Sequence, residues 1–183
     1  VSSVFSWNTS CDNIKNNPYQ ILFSVEDNGT PQFADNSATK ITIIPPQVTG
    51  VSANPIGNNV SVTWDPTSCN NAEGYRIYRS TNQSLNLPID CCSDPNLNAN
   101  GFMQIGQLFG INNTSFTDNE GLTLGLTYCY VVRAFYDIGQ VESCPSDTSC
   151  ARLKKEVPVI THVSVLQTNV TAGIDSIMWS KPT

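Results

Sequence analysis

Residues 122–135 read LTLGLTYCYVVRAF, Leu122 to Phe135, and the way they alternate decides the fold. Tyr128, Tyr130, Val132 and Ala134 form one series, and Cys129, Val131, Arg133 and Phe135 form the other. A period of two in aromatic and β-branched residues predicts a strand, with the first series on a core and the second outward or under a loop. The lead-in Leu124-Gly125-Leu126-Thr127-Tyr128 has its own reading. A tyrosine just inside such a strand folds its hydroxyl back to the preceding backbone and pins the corner where the chain changes sheets. That device belongs to immunoglobulin-type β-sandwiches.

The rest of the chain agrees with many short strands. Of 183 residues, 39% are hydrophobic and only 13% charged, so a core is affordable and wholesale disorder is excluded. Val60-Ser61-Val62-Thr63-Trp64 alternates with Val60, Val62 and Trp64 inward. Gly74-Tyr75-Arg76-Ile77-Tyr78-Arg79 follows, with Tyr75 and Ile77 inward and Arg76 and Tyr78 outward. Val48 to Ala53, Phe102 to Phe109 and Thr114 to Thr117 are further strands. Asp137-Ile138-Gly139 is a hairpin turn, after which Pro145 breaks the last strand. Between Ser80 and Gly101 runs a long, apolar-poor excursion carrying Cys91-Cys92.

Both flanks are shorter. Residues 1–45 hold strand-like runs at Val4 to Trp7, Tyr19 to Val25 and Thr39 to Ile44, with a turn at Glu26-Asp27-Asn28-Gly29 and a boundary at Pro45-Pro46. Residues 156–183 repeat the opening of the central unit: Trp179 sits 115 residues after Trp64, again near the end of a second strand with proline soon after. Three and two strands are too few for a sandwich. Their apolar faces (Ile21, Phe23, Val25; Val163, Val165, Trp179) are expected to pack on each other, on the central unit or on a second chain. The chain thus reads as a segment of something longer.

On these residues the sequence resembles fibronectin type III modules. A leading proline, Trp64 in the second strand, Tyr75 and Ile77 in the third, and the Leu124-to-Tyr128 corner carry the resemblance. More narrowly, the run from Trp64 through Cys69-Asn70-Asn71-Ala72-Glu73-Gly74-Tyr75-Arg76-Ile77-Tyr78-Arg79, with Tyr128-Cys129-Tyr130, is similar to modules in large surface proteins of gliding Bacteroidetes. Residues 1–45 are similar to the last strands of a cadherin-like or other immunoglobulin-like repeat. The implied layout is 1–45 as the C-terminal strands of a preceding immunoglobulin-like or cadherin-like domain, 46–155 as a fibronectin type III-like domain, and 156–183 as the first two strands of another. The fold class is all-β. The long 80–101 loop and the cysteine count depart from an ordinary module of this family, and there is no Arg-Gly-Asp tripeptide.

Seven cysteines, at 11, 69, 91, 92, 129, 144 and 150, make no C-x-x-C pair, and His162 is the sole histidine. Disulfides in an oxidising compartment explain them better than zinc. A hairpin turning near Ile138-Gly139 places Cys129 opposite residue 148 or so, and one bulge at Pro145-Ser146 shifts it to Cys150. Cys69 and Cys144 are expected near Cys91-Cys92, leaving Cys11 with a partner upstream.

Several functions are set aside by residue type. A net charge of −6 provides no basic patch for nucleic acid. No apolar run reaches the ~18 residues needed to span a bilayer. No nucleophile–base pair, H-E-x-x-H or phosphate loop appears, so no catalytic, cofactor-binding or metal residue is assigned. Asp27-Asn28-Gly29 and Asp118-Asn119-Glu120 offer oxygen ligands for calcium, but turns need the same residues and no spacing fills six or seven positions. Tyr78, Phe135 and Tyr136 would stack on sugars if exposed, and cover a sheet face if not. The expected function is a non-catalytic extracellular or cell-surface module, for adhesion or as a rigid spacer. Its partners would be neighbouring domains of the same protein, or another protein or a polysaccharide. The alternative is a carbohydrate-binding or spacer domain of a secreted polysaccharide-degrading enzyme.

Overall fold

A computed structural model describes residues 4–81, 96–154 and 159–180. Among them the helical structure is one three-residue 3-10 turn, Cys11–Asn13, and everything else ordered is strand or turn. The strands are β1 (Tyr19–Glu26), β2 (Ala34–Ile41), β3 (Ser52–Ile56), β4 (Asn59–Thr63), β5 (Gly74–Ser80), β6 (Met103–Phe109), β7 (Ser115–Asp118), β8 (Thr127–Tyr136), β9 (Val141–Glu142), β10 (Ser149–Arg152), β11 (Val159–Gln167) and β12 (Ile174–Ser180).

The centre is a two-layer sandwich. One sheet is ordered β3-β4-β7 and the other β10-β8-β5-β6, with β9 also paired to β8. All these pairings are antiparallel. Between the layers lie Val60, Val62 and Trp64 from β4 and its end, Tyr75 and Ile77 from β5, and Tyr128, Tyr130, Val132, Ala134 and Tyr136 from β8. Trp64 meets Tyr75 edge-on with ring centroids 5.3 Å apart. The inward series expected from the period of two is the one found. Tyr128 also closes the corner: its hydroxyl accepts from the backbone N–H of Thr123 at 2.7 Å.

The other face of β8 is buried too. Cys129 and Val131 join Tyr78, Leu97 and Phe102 in a second apolar cluster, so the start of β6 and the turn before it cover the outer face there. This strand reads as half-buried by alternation, yet the structure buries it on both sides. Two buried faces leave its edge nowhere to meet water, and the edge is where the sequence breaks at Pro145.

The chain repairs that break with serines. Between Phe135 and Tyr130 β8 advances five residues, while its partner advances seven, from Glu142 to Ser149. Two residues are inserted rather than the single bulge expected. The Ala134 N–H donates to Ser143 Oγ at 3.0 Å and the Val132 N–H to Ser146 Oγ at 2.9 Å. In return the Ser143 and Ser146 N–H groups donate to the carbonyls of Ala134 and Val132. The hydroxyls thereby stand in for missing backbone carbonyls. Beyond the insertion the register resumes with Cys150 directly opposite Cys129, and the two form a disulfide with Cα atoms 4.0 Å apart.

Some boundaries moved. Val4 to Trp7 forms no strand, and Trp7 instead packs edge-on against Tyr19. The third run lies at Ala34–Ile41 rather than Thr39 to Ile44, because it pairs with β1 from Tyr19↔Ile41 to Glu26↔Ala34. The first sandwich strand starts later than Val48, at Ser52. It holds Pro55 on a strand whose one ladder partner among the described residues is β4, where a missing donor costs little.

The flanking hairpins do not pack as expected within the chain. Among the described residues, Phe23 and Val25 of β1 are 42% and 67% exposed, Phe23 meeting the Phe5 ring edge-on, while Ile21 is half-buried; Val163, Val165 and Trp179 are exposed.

The serine repair is testable. Ser143→Ala and Ser146→Ala each leave one buried N–H without an acceptor, a loss of about 1–3 kcal/mol. Urea unfolding should show that loss for both. A change below about 0.5 kcal/mol, the level of an ordinary surface substitution, would mean another acceptor reaches β8.

Candidate functional site

The densest set of unusual contacts lies at the end of the sandwich formed by the loop after β4 and the turn after β8. Segment 10–16 lies across it. Cys11 is disulfide-bonded to Cys69 with Cα atoms 5.5 Å apart. Asn71 Nδ2 donates to the Cys11 carbonyl at 2.7 Å. The Asn16 N–H donates to Asp137 Oδ2 at 2.8 Å, and its side-chain amide to Gln140 Oε1 at 2.9 Å. Ile14, 8% exposed, enters the main core, and Cys11 packs against it.

This corrects the cysteine reading on two points. Cys11 is not left over, and Cys69 does not pair with the vicinal cysteines. The cause is spatial: the boundary at Pro45-Pro46 divides the sequence, but residues 10–16 cross it and seat on the loops beyond. Cys144 is also disulfide-bonded. Cys91 and Cys92 lie outside the described residues.

Two charged clusters hold the strands, one beside this end and one toward the other. Outside the β10-β8-β5-β6 sheet, Glu142 Oε1 accepts from Arg76 and, at 2.8 Å, from the Tyr78 hydroxyl, while its Oε2 accepts from Arg133 at 2.9 Å. Arg76 also donates to the Gly139 carbonyl and lies over the Phe135 ring. Burial pushes Glu142 up, but the hydrogen bonds from Arg133, Arg76 and Tyr78 together outweigh it and hold the carboxyl below its usual range. Tyr78 moves the opposite way, raised first by burial and then by the Glu142 charge.

Between the sheets, Asp118 is 3% exposed and takes Arg79 on both oxygens, at 2.9 and 2.8 Å. The Tyr130 hydroxyl donates to the same carboxylate at 2.8 Å. Arg79 also reaches the Glu120 carbonyl. A cleft of about 380 Å³ opens beside this pair, floored by Ile105 and Phe116 and edged by Thr117, Asn119 and Glu120.

The residues weighed for ligands are found as follows. Asp118 faces a guanidinium and a phenol, an arrangement that already satisfies its oxygens. Asp27 Oδ1 accepts from the N–H groups of Gly29 and Phe33, closing the β1–β2 turn, and these bonds lower its carboxyl. Tyr78, Phe135 and Tyr136 are 8%, 1% and 1% exposed, so none offers a ring face to a sugar. His162 is exposed on β11. Among the described residues no group of three or more His, Cys, Asp or Glu converges. Segment 10–16 was missed by sequence reading. Asn16 and Ile14 carry no periodic signal, and only the odd cysteine count pointed at Cys11.

Strand order, tyrosine corner and inward tryptophan define an all-β, fibronectin type III-like sandwich, closed by cystines of the kind that form where the surroundings are oxidising. The solved structures it is similar to include a Fn3-like protein from Clostridium thermocellum, at 26% identity over 62% of this chain and 97% of that one, with a TM-score of 0.44. Another is chicken CNTN1 FN1-FN3 domains, at 17% identity over 76% of this chain and 44% of that one, TM-score 0.47. A third is a fibronectin type III domain derived from human KIAA0970 protein, at 17% identity over 61% and 77%, TM-score 0.42. No protein-family model matches the sequence, and no curated protein does.

The Glu142 cluster sets a pH dependence. Its folded carboxyl titrates below the unfolded value of about 4.3, so its stabilisation is present above that pH and is lost as pH falls through the lower folded value. Glu142→Gln should be less stable at neutral pH and lose less further stability on acidification below pH 4. Parallel pH–stability curves for the two proteins would contradict the assignment.

Proposed function

We propose that this chain is a non-catalytic stretch of an extracellular or cell-surface multidomain protein, acting as a stiff link between modules or in adhesion. The observation that carries the reading is the clamp of residues 10–16. A covalent bond, three side-chain hydrogen bonds and a buried isoleucine tie the preceding chain to one end of the sandwich. By the chain-entropy account a loop spanning 58 residues is worth about 4 kcal/mol when closed. In a link, that constraint removes a hinge.

The domain layout belongs to the same proposal: 1–45 as closing strands of a preceding immunoglobulin-like or cadherin-like domain, 46–155 as the complete module, and 156–183 as the opening strands of the next. Exposure supports it. Trp64, just past β4, is 5% exposed, whereas Trp179, its counterpart on β12, is 63% exposed. A two-stranded hairpin is marginal in water by itself. Both β1–β2 and β11–β12 have the apolar faces of sheets that belong to larger bodies.

The test is motion. In 15N relaxation the amides of residues 10–26 should tumble with the sandwich, with order parameters near those of rigid backbone, about 0.85. In Cys11→Ser/Cys69→Ser they should fall below about 0.6. Independent tumbling of 10–26 in the unaltered protein would end the link reading. Micromolar binding to one polymer on a glycan array would favour a carbohydrate-binding domain of a polysaccharide-degrading enzyme.

A further inference from the structure

The cleft beside Arg79 and Asp118 lies where the sandwich has two strand edges. β6 ends one sheet and β7 ends the other, and the cleft is lined from both. Along β6, Gly106 pairs with Ile77 and Gln104 with Tyr78, which makes Ile105 the extra residue of a β-bulge. A bulge re-aims a side chain and spoils an edge for the addition of another strand. Ile105 packs against the core and also floors the cleft. Gly106 makes room for the second apolar wall, since a Cβ there would come within 2.6 Å of the Phe116 ring.

The polar side is held as firmly. Asp118 is 3% exposed, and both its oxygens accept from the same nitrogen of Arg79, Nη1, which also donates to the Glu120 carbonyl. The Tyr128 ring supports the guanidinium, its centroid 5.5 Å from Cζ. Nε and Nη2, the other donors of that planar group, make no hydrogen bond among the described residues, on a side chain that lines the cleft. Asn119 and Glu120 add an amide and a carboxylate at the exposed rim.

These features select a ligand. At about 380 Å³ the cleft is at the small end of ligand pockets, which run from about 300 to 1,000 Å³. The bulge opposes an added peptide strand. Two carboxylates beside one guanidinium leave the site net negative, which opposes an anion. A purely apolar molecule would leave the Arg79 and Asn119 donors unmet. We infer that the cleft binds a short stretch of neutral saccharide, with the C–H face of a sugar on Ile105 and Phe116, and hydroxyls that accept from Arg79 and Asn119 and donate to Glu120. This deepens the adhesion half of the reading above and rests on it.

The test is a titration of the 15N-labelled 183-residue chain with cello-, manno- and xylo-oligosaccharides, an oligogalacturonate serving as the anionic control. At millimolar sugar one neutral series should shift the amides of residues 105–106 and 116–121, and the oligogalacturonate should not. Asn119→Ala and Glu120→Gln, both at exposed positions, should each weaken that binding about tenfold, the loss of one hydrogen bond, with the melting temperature unchanged. Shifts with the oligogalacturonate alone, strengthened by Glu120→Gln, would overturn the neutral-sugar assignment. Shifts confined to other residues would remove this site and keep adhesion, and no shift with any neutral series would overturn the site outright. Free tumbling of residues 10–26 in a chain whose cleft still binds would end the link and uphold the site.

Discussion

The structure depends on β8 being buried on both faces. A strand with one wet face tolerates breaks in its ladder, because water supplies the missing partner. β8 lacks that option from Tyr128 to Tyr136. Every polar group along it must therefore be met by protein. That single condition explains features that look unrelated in the sequence. Ser143 and Ser146 cap the N–H groups that the Pro145 break would orphan. Glu142 meets Arg133, which is 4% exposed on the outer face. Asp118 meets the Tyr130 hydroxyl on the inner one.

Such a strand needs a cover, and the long β5–β6 connection supplies part of it. Leu97 and Phe102 lie over Tyr78, Cys129 and Val131. The described end of that connection, at Leu97 and Phe102, thus packs on the apolar outer face of β5 and β8 as a third layer. Charge follows the same logic. The chain has nine basic residues, and three of them, Arg76, Arg79 and Arg133, stand on β5 and β8 in ion pairs sheltered from solvent. Losing one partner of such a pair leaves a sheltered charge uncompensated, which costs far more than the pair gains over an apolar substitute. These clusters fix which strands lie side by side more than they add net stability.

How much was legible follows from the range of each signal. The period of two in β4, β5 and β8 is local, and it placed the inward residues of the core correctly. The tyrosine corner spans five residues and the Cys129–Cys150 pair is set by one hairpin, so both were readable. Even there the insertion was underestimated, because serine hydroxyls replacing carbonyls leave no pattern in sequence. Pairing of Cys11 with Cys69 is long-range and crosses a proline boundary, and no local rule reaches it. The acidic turns show the converse limit. Asp27 and Asp118 have ligand chemistry, but hydrogen bonds of their own neighbourhood engage them, and only coordinates reveal those partners.

In a sandwich the loops at either end are free to vary, so they are the usual place for recognition. Here Cys69, Asn71, Asp137 and Gln140 at one end are engaged by residues 10–16 of the same chain. An outside partner that competes for the same groups meets a loop already occupied by a tethered, disulfide-bonded segment of its own chain. The clamp leaves open the cleft beside Arg79 and Phe116 between β6 and β7. At the clamped end the entering segment is held by a covalent bond as well as by hydrogen bonds, so it cannot swing freely about Cys69.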